Sequence, residues 1–555
     1  MAKNYSKVPL KVQKKSGFDK SFQNLFTGKV GTVIPILTDE LIPNSTVHLK
    51  AAITASLPPL ASDTFMRCKL KYAAFFCPTR LLFKGYEKWL TNEGDLTSTY
   101  IAIPKLVLSN TAWLDDTVQK VEKRLEYIGP GSLADYLGCK VTRSYISNSK
   151  KEARTDLNLN ALPFMTYHRI YNDWFRNSLV QKDIYKDEYK GYDGKGFTVS
   201  TSQYVCPDSV SSKMRFGEDS EKFEDGVYLH QLRQANFGYD VFTTASPQAQ
   251  SGTGQSVGVE LGDQSNGSFT IAALRAANSL QLFQERNAIC GPRLVDYVKA
   301  HYGANLSDGV AQRPILLGKG SFDMYSKGIY QTTPNNVDTS YDSQNPFGSV
   351  GSRYGSAYAD GTDTLIDSFT AMEPGYLMVL CWLSPKATYS TGLDPILYRY
   401  DNNSPTDMAN PLLQNTGNEP IPQVLLDGSQ MAENTNRANV FGYTERYGFW
   451  KDKFDEVHGI LRDGSNLQSF ALQRTFDDKN NRPTISTNFL QIPTDYLDQV
   501  AAVAGSISDY GYWADTYFDY KVSMPLAEYS IPSLQDPAYE HGETVVVNKS
   551  GTQLS

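Results

Sequence analysis

Apolar and polar residues alternate with unusual regularity over two stretches of this chain. Val47, Leu49, Ala51, Ile53 and Ala55 alternate with His48, Lys50, Ala52, Thr54 and Ser56. After the turn signal Pro58-Pro59, Met66, Cys68, Leu70, Tyr72, Ala74 and Phe76 alternate with Arg67, Lys69, Lys71 and Ala73. Successive side chains of a strand point to opposite faces, so each stretch predicts a long strand with one apolar face and one wet face. The two strands are expected almost side by side. A one-residue slip in either would turn its core side chains outward, so the phasing is a strong constraint. Cys77-Pro78 ends the second strand, because proline cannot donate to a ladder. Arg80 to Leu90 then reads as a short helix.

Other segments carry their own signals. Residues 30–37 predict a strand ahead of this pair, and Gly375 to Leu383 is apolar on both faces, as a central strand would be. Phe489 to Pro493 reads as a strand, and Phe518, Tyr520, Val522 and Met524, alternating with Asp519, Lys521 and Ser523, predict a closing strand. Ser132 stands as the N-cap of a compact helix with Gly138 past its end. From Leu162 to Asn177 a longer helix is expected, with Pro163 in its first turn and Phe164, His168, Tyr171 and Phe175 on one stripe. Residues 269–289 and 292–302 predict a helix pair broken at Cys290-Gly291-Pro292. Residues 183–226 and 335–364 lose periodicity and gain Gly, Ser and Asp, predicting two long irregular surface loops. The fold class is therefore mainly β, a sandwich of two antiparallel sheets whose long loops carry helices.

Charge changes this picture at one end. Seven lysines against Asp19 alone give residues 1–30 a charge of +6, so the net charge of −7 leaves −13 on the remainder. Residues 1–28 read as an extended basic arm on an acidic body, a pattern for polyanion binding; a solvated tail is the other reading of the same lysines. Lys3, Lys7, Lys11, Lys14, Lys15 and Lys20 offer cations for phosphates, and Tyr5, Phe18, Phe22 and Phe26 offer rings for base stacking. Arg67, Lys69 and Lys71 make a strand face unusually basic for an acidic protein. Such a face is expected to meet an acidic counter-surface, a polyanion or another chain's acids, with an ordinary wet strand face as the alternative.

No catalytic constellation stands out among the 555 residues. Gly252 to Gly258 misses the dinucleotide-loop spacing by one residue. Asp360, Asp363 and Asp367 have calcium-loop spacing, but Ala371 stands where a glutamate is required. The six histidines show no paired metal spacing, and the adjacent acids Asp115-Asp116 and Asp477-Asp478 are what a chain with 60 acids contains anyway. The six cysteines are scattered with no CxxC pair, Cys68 and Cys381 read as small core residues, and neither disulfides nor a zinc site is expected. No metal or cofactor is expected, and no apolar run is long enough for a membrane-spanning helix. The amino terminus lacks a signal-peptide core, so assembly in a cytoplasm is expected.

Several of these segments carry a resemblance. Phe75-Phe76-Cys77-Pro78-Thr79-Arg80-Leu81-Leu82 followed by Trp89, the Leu133-Ala-Asp-Tyr-Leu-Gly138 helix, Ile170-Tyr-Asn-Asp-Trp-Phe-Arg176, Asp240-Val-Phe-Thr-Thr-Ala-Ser-Pro-Gln248 and Phe441-Gly-Tyr-Thr-Glu-Arg-Tyr447 stand in the order found in Microviridae major capsid proteins. The gokushovirus-like branch is the most similar. Where that branch carries a long variable insertion, only Ser251 to Gly267 stand here. The resemblance spans residues 28–535 and implies a viral jelly roll over 29–535, between the arm at 1–28 and a surface tail at 536–555.

It further implies a structural protein of a small icosahedral single-stranded-DNA phage, with sixty copies closing a T=1 shell around the genome. Implied partners are the chain itself, packaged single-stranded DNA, a minor virion or pilot protein, an internal scaffolding protein and a host surface receptor, with no membrane insertion. At least one of the two irregular loops is expected on the outer surface, in host contact or a protrusion. By composition alone, a carbohydrate-active β-sandwich enzyme or a phage adhesin would look similar.

Overall fold

The computed structural model describes residues 7–82, 86–91, 103–108, 125–141, 157–182, 213–215, 228–248, 294–307, 309–310, 312–330, 353–399, 408–414, 417–429, 439–476, 482–528 and 542–548, with isolated residues between 275 and 286. Its strands begin with β1 (Lys7–Gln13), β2 (Ser16–Asp19), β3 (Phe22–Gly28), β4 (Thr32–Leu41), β5 (Ser45–Ser56) and β6 (Cys68–Pro78). Short strands follow at β7 (Lys105–Leu108), β8 (Leu157–Asn160), β9 (Lys213–Arg215) and β10 (Arg233–Gln234). Then come the long strands β11 (Ile315–Tyr330), β12 (Arg353–Ala371) and β13 (Gly375–Pro385). The series closes with β14 (Asn418–Pro422), β15 (Val440–Glu445), β16 (Tyr512–Met524) and β17 (Gly542–Asn548).

One ladder of hydrogen bonds runs β10-β4-β13-β6-β11-β12-β5-β16-β2, with β3 also on β16. It bends where β11 passes from one partner to another: Ile315–Met324 pair with β6, and Tyr325–Tyr330 pair with β12. Beyond that hairpin β12 pairs with β5 through Tyr358–Ala371. The ladder thus folds into two antiparallel layers, sheet one (β10, β4, β13, β6 and the first half of β11) and sheet two (the second half of β12, β5, β16, β2 and β3). This is the expected sandwich, with helices confined to the connections.

The core lies between the layers and follows the alternation. Val47, Leu49, Ala51, Ile53, Phe518, Tyr520 and Val522 of sheet two are buried, as are Leu70, Tyr72, Phe76, Leu377, Val379 and Leu383 of sheet one. Across the gap the Phe76 and Phe369 rings meet at 5.1 Å, and the Tyr72 hydroxyl donates to Asp363 Oδ2 at 2.9 Å. On the side where β4 meets β2 and β3, Asp39 Oδ2 accepts from the Tyr520 hydroxyl at 2.6 Å and pairs with Lys20. Asn24 Nδ2 donates to the Ile36 carbonyl at 2.7 Å on the same side.

The outer face of sheet one is partly covered. Helix Leu162–Ile170 continues as a π-helical turn over Tyr171–Phe175. Trp174 and Phe175 lie 5.8 and 6.2 Å from Phe75, and Phe175 meets Trp382 edge-on at 4.8 Å. Tyr167 donates its hydroxyl proton to the Val33 carbonyl at 2.8 Å and accepts from the Arg233 amide, fixing the helix to β4 and β10. Ser132 caps Leu133–Tyr136 by accepting from the Asp135 amide, as its position predicts.

Four expectations are corrected. Strands β5 and β6 are not side by side: β11 and β12 stand between them in the ladder, because alternation specifies a face and not a neighbour. Residues 353–364 are not loop but the first part of β12; their glycines serve close approach, since a Cβ on Gly355 would meet the Ser62 carbonyl and one on Gly361 the Phe322 ring. Residues 16–28 belong to sheet two rather than to a separate arm, because Phe22 and Phe26 pack on Phe518 and Tyr512 of β16. Thr487–Leu490 is a helical turn where a strand was expected, capped by Ser486 Oγ accepting from the Phe489 amide at 3.3 Å. The body of the 183–226 loop outside β9, the Ser251–Gly267 segment and most of the first helix expected at 269–289 lie outside the described residues.

Candidate assembly and nucleic-acid surfaces

Two surfaces carry the sequence-predicted cations, and each follows from local strand geometry. Lys3 lies outside the described residues, as do Asp115-Asp116 and Asp477-Asp478. Lys7 and Lys11 fall on β1, which pairs antiparallel with β17, so the two ends of the chain form a two-stranded ribbon. Lys14 and Lys15 are exposed at its base, and Lys15 Nζ donates to Thr46 Oγ1 at 3.3 Å. Lys20 differs from these. Its ammonium is paired with Asp39 and stands 5.5 Å from the Tyr520 ring, so its charge is answered where the two sheets meet. Phe26 is likewise spoken for as a core residue, and Phe22, though partly exposed, packs its ring on Phe518 at 5.2 Å.

Arg67 immediately before β6 and Lys69 and Lys71 on its outer face stand at alternate positions, as their phasing predicts. Arg67 reaches Asp455 at 3.5 Å and Lys69 reaches Asp323 at 3.3 Å. Those cationic side chains are 75% and 53% exposed, so the pairs contribute at most about 1 kcal/mol each and exchange readily for other anions. Among the described residues Lys71 makes no ion pair; burial, with Lys69 beside it, pulls its ammonium below the usual lysine range. Lys319 of β11 and Lys386 beyond β13 extend this patch, Lys386 pairing with Asp455 at 2.7 Å.

Sequence reasoning passed over the outer face of sheet two. Trp513, Asp515 and Tyr517 alternate with buried Tyr512, Ala514 and Thr516 on β16. The signal was present, because the alternation read from Phe518 onward continues upstream to Tyr512. Tyr358 and Asp360 of β12 stand on the same face across β5.

The buried polar chemistry is structural. His168 Nδ1 accepts from Arg233 Nε at 3.1 Å, and Nε2 lies 2.7 Å from the Leu229 carbonyl. Burial, reinforced by Arg233, holds this imidazole well below its ordinary range and therefore neutral. Cys68, Cys77 and Cys381 are buried free thiols, and burial pushes Cys381 up to about 12, far from a reactive thiolate. Asp360, Asp363 and Asp367 lie on β12, and among the described residues no group of three or more His, Cys, Asp or Glu could hold a metal ion. Among the same residues no helix is long and apolar enough to cross a membrane.

The fold and its surfaces define a mainly antiparallel β-sandwich protein with exposed charged faces. The chain belongs to the phage capsid family described as Capsid protein (F protein), whose profile matches residues 6–534. It is 23% identical to Capsid protein VP1 of Chlamydia phage 1 over 96% of this chain and 98% of that one. Capsid protein VP1 of Bdellovibrio phage phiMH2K is 24% identical, covering 96% and 97%, and that of Spiroplasma virus 4 is 23% identical, covering 91% and 93%. The chain is thus a structural capsid protein of a small single-stranded-DNA phage, a virion component that self-assembles into a shell. These relatives bear out the gokushovirus-like resemblance and set aside the carbohydrate-active enzyme and the adhesin.

Proposed function

We propose that sixty copies of this chain close a T=1 shell around a single-stranded DNA genome, and that its basic amino-terminal residues hold that DNA. The family match across nearly the whole chain carries the reading. The arm adds the chemistry: residues 1–15 hold five lysines and no acid on a chain of net charge −7. Lys3, Lys7, Lys11, Lys14 and Lys15 are the phosphate contacts, non-specific because no folded base-reading motif accompanies them. Lys20 is reassigned to the junction of the sheets. Arg67, Lys69 and Lys71 face the genome or a neighbouring copy's acids. Assembly takes place in the host cytoplasm with an internal scaffolding protein and a minor virion or pilot protein. Of the segment 183–226 and the part of 335–364 ahead of β12, which lie outside the described residues apart from β9, at least one serves at the outer surface in host contact or a protrusion.

Removing residues 2–15 tests the arm while leaving β2 and β3 in place. Particles of the truncated chain should retain less DNA, and each lost phosphate contact should lower the salt slope of single-strand binding by about 0.7. Unchanged DNA content and slope would remove the arm from the interface.

A further inference from the structure

The two outer sheet faces of the sandwich differ in chemistry in a way that a single copy leaves unused. On sheet two, Trp513 pairs with Ser56, which pairs with Tyr358; Asp515 pairs with Thr54, which pairs with Asp360; Tyr517 pairs with Ala52, which pairs with Thr362. The face therefore sets an acidic row between a row carrying Trp513 and Tyr358 and a row carrying Tyr517. Gln23 of β3 donates to both Asp515 carboxylate oxygens at 2.9 and 2.8 Å, an exposed neutral contact that leaves the charge unpaired by a cation among the described residues. Trp513, Tyr517 and Tyr358 are 46%, 52% and 42% exposed. Among the described residues the helices against a sheet lie on the other layer, Leu133–Tyr136 on β4 and Leu162–Ile170 on β6 and β13.

On sheet one, Lys69 and Lys71 stand at alternate positions of β6 with Arg67 one step ahead of the strand and Lys319 beside them. Alternate residues on a strand are about 7 Å apart, so the three cations span about 13 Å. Trp513, Asp515 and Tyr517 span the same length with the same step. A carboxylate flanked by aromatic rings is suited to such a row, because cations are drawn both to the acid and to ring faces. Nucleic acid is a poor occupant of the sheet-two face, since its central row is Asp515 and Asp360.

We infer that the aromatic-acidic face of sheet two (Trp513, Asp515, Tyr517 and Asp360) receives the basic strand face (Arg67, Lys69 and Lys71) of a second copy of this chain. The inference rests on the self-assembly of the capsid protein and commits the β6 cations to a protein contact rather than to the genome. The contact is heterologous, one face of a copy meeting a different face of the next, which is the kind of interface that closes rings and shells. The in-chain pairs hold the cations only weakly before assembly: Lys69 and Asp323 are both exposed, and half-buried Asp455, which also pairs with Lys386, meets an Arg67 side chain that is itself exposed.

Charge exchange tests this directly. Lys69→Glu with Lys71→Glu places acids against acids, and Asp360→Lys with Asp515→Lys places cations against cations; each pair should lower particle yield by about tenfold or more. Combining all four substitutions in one chain should return the yield to within about threefold of the parent, because the contact is restored with its signs reversed. Yield is counted by electron microscopy and sedimentation, DNA content separately, and folding of the unassembled chain by its thermal melt. Failure of the four-fold variant to recover while its free chain folds would overturn the inference. So would a lysine variant that assembles at full yield but packages less DNA, which would place these cations on the genome while leaving the shell reading intact. Should the charge variants not fold, copies carrying Lys69→Cys are co-assembled with copies carrying Tyr517→Cys and treated with a short thiol cross-linker. Cross-linked dimers in particles, and not in unassembled chain, are expected; their absence from particles would overturn the contact.

Discussion

Replacing Asp39 with alanine should open the side of the sandwich where β4 meets β2, β3 and β16. Its carboxylate accepts from the Tyr520 hydroxyl at 2.6 Å and pairs with Lys20, joining sheet one to sheet two. Burial, with Asp39 beside it, holds the Tyr520 hydroxyl protonated far above the usual tyrosine range, so that group can only donate at ordinary pH. A hydrogen bond to a charged acceptor contributes about 1.5–3 kcal/mol, and its loss leaves the hydroxyl of a 2%-exposed tyrosine without that acceptor. Lys20 is 37% exposed, so its pairing adds at most about 1 kcal/mol after screening. The expected cost of Asp39→Ala is thus about 3 kcal/mol, and that of Tyr520→Phe about 2 kcal/mol. The two share one bond, so the double variant should fall short of the sum by about 1–2 kcal/mol. Urea unfolding of the unassembled chain at unchanged slope measures each value. A cost for Asp39→Ala below about 0.5 kcal/mol, or strict additivity of the pair, would refute the clamp.

Other outcomes follow from the same packing. Because His168 is held neutral well below its ordinary value, the unfolded chain takes up a proton there that the folded chain refuses. Its contribution is complete above about pH 6.5 and is lost as the pH falls toward the depressed folded value, so urea midpoints should drop between pH 7 and 5, less steeply in His168→Gln. An equal drop in both would dismiss His168 as the cause. A Cβ on Gly318 would sit on the Leu365 carbonyl where β11 crosses β12, so Gly318→Val should cost about 3 kcal/mol or more. Gly238→Ala, which meets no atom within 4 Å, should stay within about 0.5 kcal/mol by the same thermal melt; equal effects would argue against the close approach of the layers.

Faces were more legible in the sequence than neighbours. The buried sets of β5 and β6 are the ones their alternation predicts, and β13 is central as its two apolar faces require. Which strand pairs with which was not legible, because the partners of β5 and β6 are hundreds of residues away on β11, β12, β13 and β16. Composition misled at β12, where Gly355 and Gly361 read as loop residues although they stand where neighbouring atoms leave no room for a side chain. It misled again at Phe22 and Phe26, whose place among lysines suggested base stacking while their spacing put them on the inner face of β3. Of the candidate cations, the outward direction of Arg67, Lys69 and Lys71 was readable from the phase of β6. The commitment of Lys20 to Asp39 was not, since it depends on β2 and β4 meeting across the sandwich.

Assembly itself is most directly tested by counting chains in purified particles, with charge-detection mass spectrometry for copy number and electron microscopy for symmetry. The account predicts a single closed icosahedral species of sixty copies, carrying single-stranded DNA that nuclease reaches only after disruption. Open filaments, a closed particle of another copy number, or empty sixty-copy shells formed equally well with and without the genome present would contradict it.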